Sequence, residues 1–333
     1  MYKLLFLMTM MTGTILTTSS YTWMGMWLGM EINLLSIMPL LKNMNNVKES
    51  EATMKYFITQ TLASTMFMLA TILMTKEMST ETMKSSWILM MNSSILTKMG
   101  AAPFHFWFPE VMEGLSWVNC LLMLTWQKIA PMIVMMYTSK TTMFITITII
   151  SSMTISGIMG INQTSLRKIM TYSSINHIGW MMASMLNEQT LWMIYMTIYS
   201  ITTINMILMM KKINLFYMNQ LINSMNKEKN FKLLFIMNFL SLAGMPPFIG
   251  FLPKWMVINQ LINENMILLA TIMILVTLLT LFFYLRITFS VMILSTTEML
   301  PKNKSIHKKY INMKFNYLIL MSLILSPYML NIL

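Results

Sequence analysis

The sequence predicts an all-α, polytopic membrane protein with about eleven transmembrane helices, Pro-broken helices among them. Three observations carry that prediction. Hydrophobic residues make up 56% of the 333-residue chain and charged residues only 10%, where a soluble domain carries about 25% charged. The basic residues gather in alternate loops, as they do when a chain threads a bilayer. A Gly/Pro/Phe/Pro pattern also occurs twice within apolar segments, at Gly100, Pro103, Phe104 and Pro109 and again at Gly244, Pro247, Phe248 and Pro253.

A spanning helix needs about 20 apolar residues. Eleven segments meet that need, at about 3–20, 22–41, 55–75, 85–107, 115–137, 142–161, 167–186, 190–210, 232–262, 265–288 and 314–332. They form one membrane domain over residues 1–333, with no flexible linker or low-complexity stretch inside it. The first segment carries only Lys3 and has no small-residue cleavage site, so it reads as a span and not as a signal peptide. The fourth, 85–107, holds the first proline pattern. The ninth, 232–262, is too long for one straight helix, and Pro246, Pro247 and Pro253 divide it into two half-helices. Periodicity adds nothing inside these segments, because helices of a membrane bundle are apolar all round. Outside them, 211–231 mixes apolar and polar residues as an interfacial amphipathic helix does.

Charge sets the threading. Loops and tails on the N-terminal side hold 16 basic residues, including Lys42, Lys48, Lys55, Arg167, Lys211 and Lys212. The opposite side holds three, Lys76, Lys84 and Lys140. The basic side is the mitochondrial matrix or a bacterial cytoplasm, with the N-terminus on it and the C-terminus opposite. The net charge of +12 is therefore a topology signal. It is a poor nucleic-acid patch, because the basic loops are short and lack interleaved stacking aromatics.

Composition narrows the chemistry. The single cysteine, Cys120, excludes a Cys-ligated iron–sulfur cluster, a Cys-rich zinc site and an internal disulfide. His307 lies in a basic loop, which leaves His105 and His177 in membrane segments, a thin basis for a bis-His haem. The 47 methionines are spread over almost every segment without Met-x-x-Met and His clusters, so they read as flexible apolar filler in preference to a copper path. Aspartate is absent, and arginine occurs only as Arg167 and Arg286 against 21 lysines. That usage matches an AT-rich genome read with a mitochondrial code.

Lys98, Lys128, Lys254 and Arg286 remain after the loops are counted, and Glu31 is the one acid within a span. A charge at the bilayer centre costs about 2.5–3.5 kcal/mol on insertion scales, so three lysines and a glutamate amount to roughly 10 kcal/mol if unrelieved. Such groups face the bundle interior, pair with one another or meet water. Desolvation disfavours a charged lysine and a nearby carboxylate restores it. A buried lysine with a movable partner is thus a component for a proton relay. The competing role for each lysine is snorkelling to an interface, and Arg286, near a span end, fits that role better. His177 shares its segment with Ser173, Ser174 and Asn176, a polar stripe suited to a water chain, while His105 lies inside the first proline turn.

Five stretches together resemble one family: Leu28 to Leu35 around Glu31, Lys98 to Glu110, Thr125 to Pro131, Asn162 to Lys168, and Gly250 to Trp255. They are similar to the subunit 2 family of NADH–ubiquinone oxidoreductase, the antiporter-like subunits of respiratory complex I. The likeness covers most of the chain and is weak in 211–231 and 289–313. It implies two inverted five-helix repeats, each with one broken helix, and a polar axis across the membrane midplane. Bacterial members have fourteen spans, and this chain resembles animal versions that lack the first three. By motif, the resemblance assigns Glu31 and Lys98 as an ion pair, Lys128 as the central relay lysine and Lys254 as the lysine of the second broken helix, with His105 and His177 on the axis.

The expected function is therefore proton translocation in the mitochondrial inner membrane, driven at a distance by electron transfer from NADH to ubiquinone. No cofactor is expected on this chain: the resemblance puts NADH, FMN, iron–sulfur clusters and ubiquinone on other subunits. Expected partners are the other membrane and peripheral subunits of complex I, neighbouring antiporter-like subunits among them, and membrane lipids such as cardiolipin. No nucleic acid is expected. Two rivals stand beside this reading, a stand-alone or Mrp-type cation/proton antiporter and a purely structural subunit whose buried charges fix packing. A sodium path wants more carboxylate or carbonyl ligands, and packing alone does not need the same proline turn twice.

Overall fold

A computed structural model describes residues 2–42, 46–75, 81–139, 141–186, 188–225, 229–246 and 248–293. Within them the chain is helical, and its one β feature is an isolated bridge between Ser165 and Tyr217. The helices are α1 (Tyr2–Ser19), α2 (Trp23–Leu41), α3 (Val47–Thr75), α4 (Glu81–Met99), α5 (Trp107–Gly114), α6 (Trp117–Leu124) and α7 (Trp126–Thr138). They continue as α8 (Thr142–Ile161), α9 (Leu166–Met185), α10 (Gln189–Ile213), α11 (Met218–Met225), α12 (Lys229–Ala243), α13 (Phe251–Asn263) and α14 (Ile267–Ile293). The expected eleventh segment, 314–332, and the basic tail before it lie outside the described residues.

Among the described residues, six helical stretches are long and apolar enough to cross a membrane, against the eleven expected: 23–41, 47–75, 117–138, 142–161, 189–213 and 267–293. The shortfall has physical causes. α1 holds five threonines in 18 residues. α4 carries Asn92, Lys98 and four serines, and α9 carries Arg167, Lys168, Asn176 and His177. α12 and α13 are half-length, at 15 and 13 residues. Hydroxyls within the helices are satisfied locally: Thr17, Ser36, Thr148, Ser173 and Ser174 each donate to the carbonyl three residues back.

The two breaks share the way their upstream helices end. Each upstream helix ends on a left-handed glycine, Gly100 at φ +73° and Gly244 at φ +79°. Ala101 N–H then bonds Leu96 O at 3.1 Å, and Met245 N–H bonds Leu240 O at 3.3 Å, the helix-ending loop of a Schellman cap. Pro109 and Pro253 fall in the first turns of α5 and α13, where a missing amide hydrogen costs nothing. Glycine therefore stops each helix and proline starts the next. Pro247 itself lies outside the described residues.

A further interruption was not expected. The segment 115–137 is two helices, parted at Thr125, with φ −111° and ψ −70°. Pro131 downstream takes one amide hydrogen out of the ladder, and the Thr125 hydroxyl bonds Leu121 O at 2.8 Å.

The apolar interior divides into two clusters. One gathers Leu41, Phe108, Leu166, Met210, Phe235 and Val291. The other gathers Met30, Phe67, Ile95, Met132, Trp180 and Val257. α1 and α2 pack tightly, since a Cβ on Gly29 would lie 2.5 Å from Thr17 Cγ2 and one on Gly13 would lie 2.9 Å from Asn33 N.

Candidate functional site

Lys98 stands in the last turn of α4, two residues before the left-handed Gly100, and is buried. Its Nζ is 3.7 Å from Glu31 Oε1, with side-chain exposures of 5% and 20%. That separation is an ion pair but not a hydrogen bond. Neutral donors take up the carbonyls around this break. Trp107 Nε1 donates to Thr97 O at 3.0 Å, Ser151 Oγ to Ala102 O at 3.1 Å and Gln60 Nε2 to Lys98 O at 3.4 Å. The Lys98 ammonium is left for Glu31. Next to it Asn33 and Gln127 exchange two side-chain hydrogen bonds, at 3.2 and 3.0 Å. A cavity of about 20 Å³ is lined by Asn33, Tyr56, Gln60, Lys98, Gln127 and Pro131 among others.

Lys128 occupies the first turn of α7, where the helix restarts after Thr125. It is among the largest fully buried side chains. Its Nζ donates to Tyr199 Oη at 3.2 Å and to Ser174 O at 3.4 Å. The ammonium also lies 4.9 Å from the Tyr199 ring centroid and 5.7 Å from that of Phe108. His177, buried in α9, has its Nδ1 2.9 Å from Tyr195 Oη and its ring 5.0 Å from the Tyr199 ring. Tyr199 thus touches both Lys128 and His177.

Lys254 sits in the first turn of α13 and reaches back across the second break, where its Nζ donates to Ala243 O at 2.8 Å. Ala243 ends α12, so the ammonium meets the negative end of a helix dipole. The Trp180 ring lies 5.9 Å from it.

The structure therefore brings Glu31 to Lys98, and Lys128 to His177 through Tyr199. His105 is buried in the first break, with its Nδ1 3.4 Å from Pro103 O and its ring against Phe106. No contact among the described residues joins it to the lysines. Arg286 donates to Ile161 O, the last residue of α8, at 3.0 Å from an exposed position, as an anchor does. Lys168 pairs with Glu113 at 2.6 Å. Sequence reasoning missed Tyr199, Asn33, Gln127, Tyr56 and Gln60. Asn33 and Gln127 carried a signal, since each is an amide within two residues of a charge inside an apolar segment. Among the described residues no three His, Cys or Glu gather as metal ligands.

Helices broken at two glycine caps, each with a buried lysine beside it, define an antiporter-like membrane subunit. Residues 20–280 match the family model described as NADH:quinone oxidoreductase/Mrp antiporter, TM. Solved structures of that shape include Respiratory complex I from Thermus thermophilus, TM-score 0.85 at 20% identity over 98% of this chain and 78% of that one. The Mrp complex from Dietzia follows at TM-score 0.76 and 17% identity, over 90% and 62%. The NADH-ubiquinone oxidoreductase chain 2 of Anopheles gambiae is 45% identical, over 94% of each chain. That of Locusta migratoria is 46% identical over 89% and 87%, and that of Gallus gallus 38% over 92% and 89%. The chain belongs to the NADH-ubiquinone oxidoreductase chain 2 family.

Proposed function

We propose that this chain is a core membrane-arm subunit of complex I, the proton-translocating NADH:ubiquinone reductase, and moves protons through its buried Glu/Lys/His groups. The observation that carries this reading is the set of ionisable and hydroxyl groups buried in the bundle. Glu31 pairs with Lys98, Lys128 meets Tyr199, Tyr199 packs on His177, and Lys254 crosses the second break. Charges of this number at bilayer depth are sustained where they have a function. Moving the charge near Glu31 would loosen its hold on Lys98, change the proton affinity of Lys128 and so reach Lys254. His105 belongs to the same proposal as a group in the first break.

The repeated glycine-capped break supports two inverted repeats within about eleven spans. The lysine asymmetry supports a mitochondrial inner-membrane protein with its N-terminus in the matrix and its C-terminus in the intermembrane space. Electron carriers and the quinone site then belong to other subunits, and the partners are those subunits, neighbouring antiporter-like chains and lipids.

The test is proton pumping by assembled complex carrying Lys128→Met or Lys254→Met. Coupled turnover should fall by about tenfold or more, since a positioned proton-transfer group contributes roughly 10²–10⁴-fold. Normal proton-to-electron stoichiometry in both variants would sink the relay. The likeness to the Mrp complex favours a second reading, an independent cation/proton antiporter. Blue-native electrophoresis with an NADH dehydrogenase stain separates the two, because an antiporter runs in a small band without that activity.

A further inference from the structure

Two neutral amides, Asn33 and Gln127, line one cavity with Lys98, and Gln127 precedes Lys128 in the chain. Asn33 Nδ2 donates to Gln127 Oε1 at 3.2 Å and Gln127 Nε2 donates to Asn33 Oδ1 at 3.0 Å, so the two side chains close on each other. The Tyr56 hydroxyl, 3.4 Å from Gln127 Oε1, donates a second bond to that oxygen. Amides in this arrangement do not relay a proton, because each would have to pass through its imidic acid form. Immediately beside them is the cavity of about 20 Å³, whose polar lining is Asn33, Tyr56, Gln60, Lys98 and Gln127. A space of that size holds one water molecule, given two to four polar partners. Lys98 Nζ and Glu31 Oε1 are both buried without a hydrogen-bond partner. A buried ammonium that makes no hydrogen bond and belongs to a residue lining a water-sized polar cavity is suited to hydration.

We propose that Asn33 and Gln127 are positioning residues that form a gate in front of Lys98, with a single water seated in the cavity behind it. The proposal deepens the relay reading above and rests on it. In the closed state the amides bond each other and the path towards Lys128 is interrupted. The gate opens when the Gln127 amide turns from Asn33 to the cavity water. The Lys98 ammonium then gives its proton to the water oxygen, and the same water releases another proton towards Lys128, whose neutral amine takes it up as the ammonium. Lys98 ends as the neutral amine and the water is regenerated. Gln127 is placed for this work at the start of α7, one residue before Lys128 and two after the interruption at Thr125, where the helix has the least hold on its own backbone.

The test replaces Gln127 in the assembled complex. Gln127→Met keeps the length and removes the amide, and is expected to lower proton pumping several-fold. It should also raise the solvent deuterium isotope effect on coupled NADH oxidation, which a packing defect alone would not do. Gln127→Glu restores an acceptor and is expected to recover pumping. Asn33→Leu removes the closed-state partner and leaves Gln127 to the water, so it should retain pumping better than Gln127→Met, and the double variant should match Gln127→Met, because opening needs the Gln127 amide. Lys128→Met is measured alongside. If it is defective while Gln127→Met pumps with normal stoichiometry and isotope effect, the gate is overturned and the relay stands. If Lys128→Met pumps normally, both fall. Should Gln127→Met fail to assemble, a high-resolution map of the unmodified complex decides. An ordered water bonded to Lys98 Nζ and to the Gln127 or Asn33 amide supports the gate, and a dry cavity overturns it.

Discussion

Tyr199 shows how much of the chemistry rests on single atoms. Its hydroxyl accepts from Lys128 Nζ at 3.2 Å and its ring packs against both Lys128 and His177. Tyr199→Phe keeps the ring and deletes the oxygen. The expected outcome is a fold that assembles normally and pumps less well, by a factor smaller than that for Lys128→Met, as read by proton stoichiometry in reconstituted vesicles. Equal pumping would mean that the ring alone supports Lys128. The lysines and Glu31 were legible in the sequence because charge in an apolar segment is rare and costly. Tyr199 was not, because a tyrosine in an apolar helix looks like any other large core residue. Its role depends on α10 packing beside α9, so that a residue 71 positions after Lys128 meets it.

The breaks are the informative elements. Gly244 has φ +79°, and a Cβ there would lie 2.8 Å from Lys254 Nζ. Gly244→Ala should cost about 1–2 kcal/mol for the left-handed backbone alone, and should also displace the lysine from Ala243 O. The measurements are the amount of assembled complex and its pumping. A variant with full assembly and full pumping would show that the cap has no role in holding Lys254. At the first break, Trp107→Phe deletes the indole bond to Thr97 O. It should destabilise the assembled subunit by about 1–3 kcal/mol, the cost of a buried carbonyl left unpaired, read as a lowered detergent or thermal tolerance. The location of both breaks was legible from the repeated pattern. Their division of labour was not, since the same spacing leaves Lys98 free for Glu31 in one and ties Lys254 to a carbonyl in the other. The interruption at Thr125 had no clear signature either, because Pro131 lies six residues further on.

At the scale of the molecule, Lys98, Lys128, Lys254, His177, Asn33 and Gln60 are buried inside the bundle, beside two apolar clusters. This arrangement keeps costly groups away from lipid. The lysine asymmetry adds a prediction about threading. With the N-terminus in the matrix, an epitope after Met1 is protected from protease in intact mitoplasts and is digested only once the inner membrane is opened. Digestion in intact mitoplasts would reverse the orientation.

Composition determined by itself that the chain is a helical membrane protein, since so few charges in so many apolar residues have no stable soluble arrangement. The positions of Lys98, Lys128, Lys254 and Glu31 marked where function was to be sought, because burying charge in lipid carries a cost that the sequence displays directly. Only the tertiary structure decided which groups meet. Hydrogen bonds act over about 3 Å, while the partners are separated by tens of residues: Asn33 and Gln127 by 94, Lys128 and Tyr199 by 71. Their meeting depends on how the helices pack, on the close contact of α1 with α2 and on the left-handed glycines that end α4 and α12.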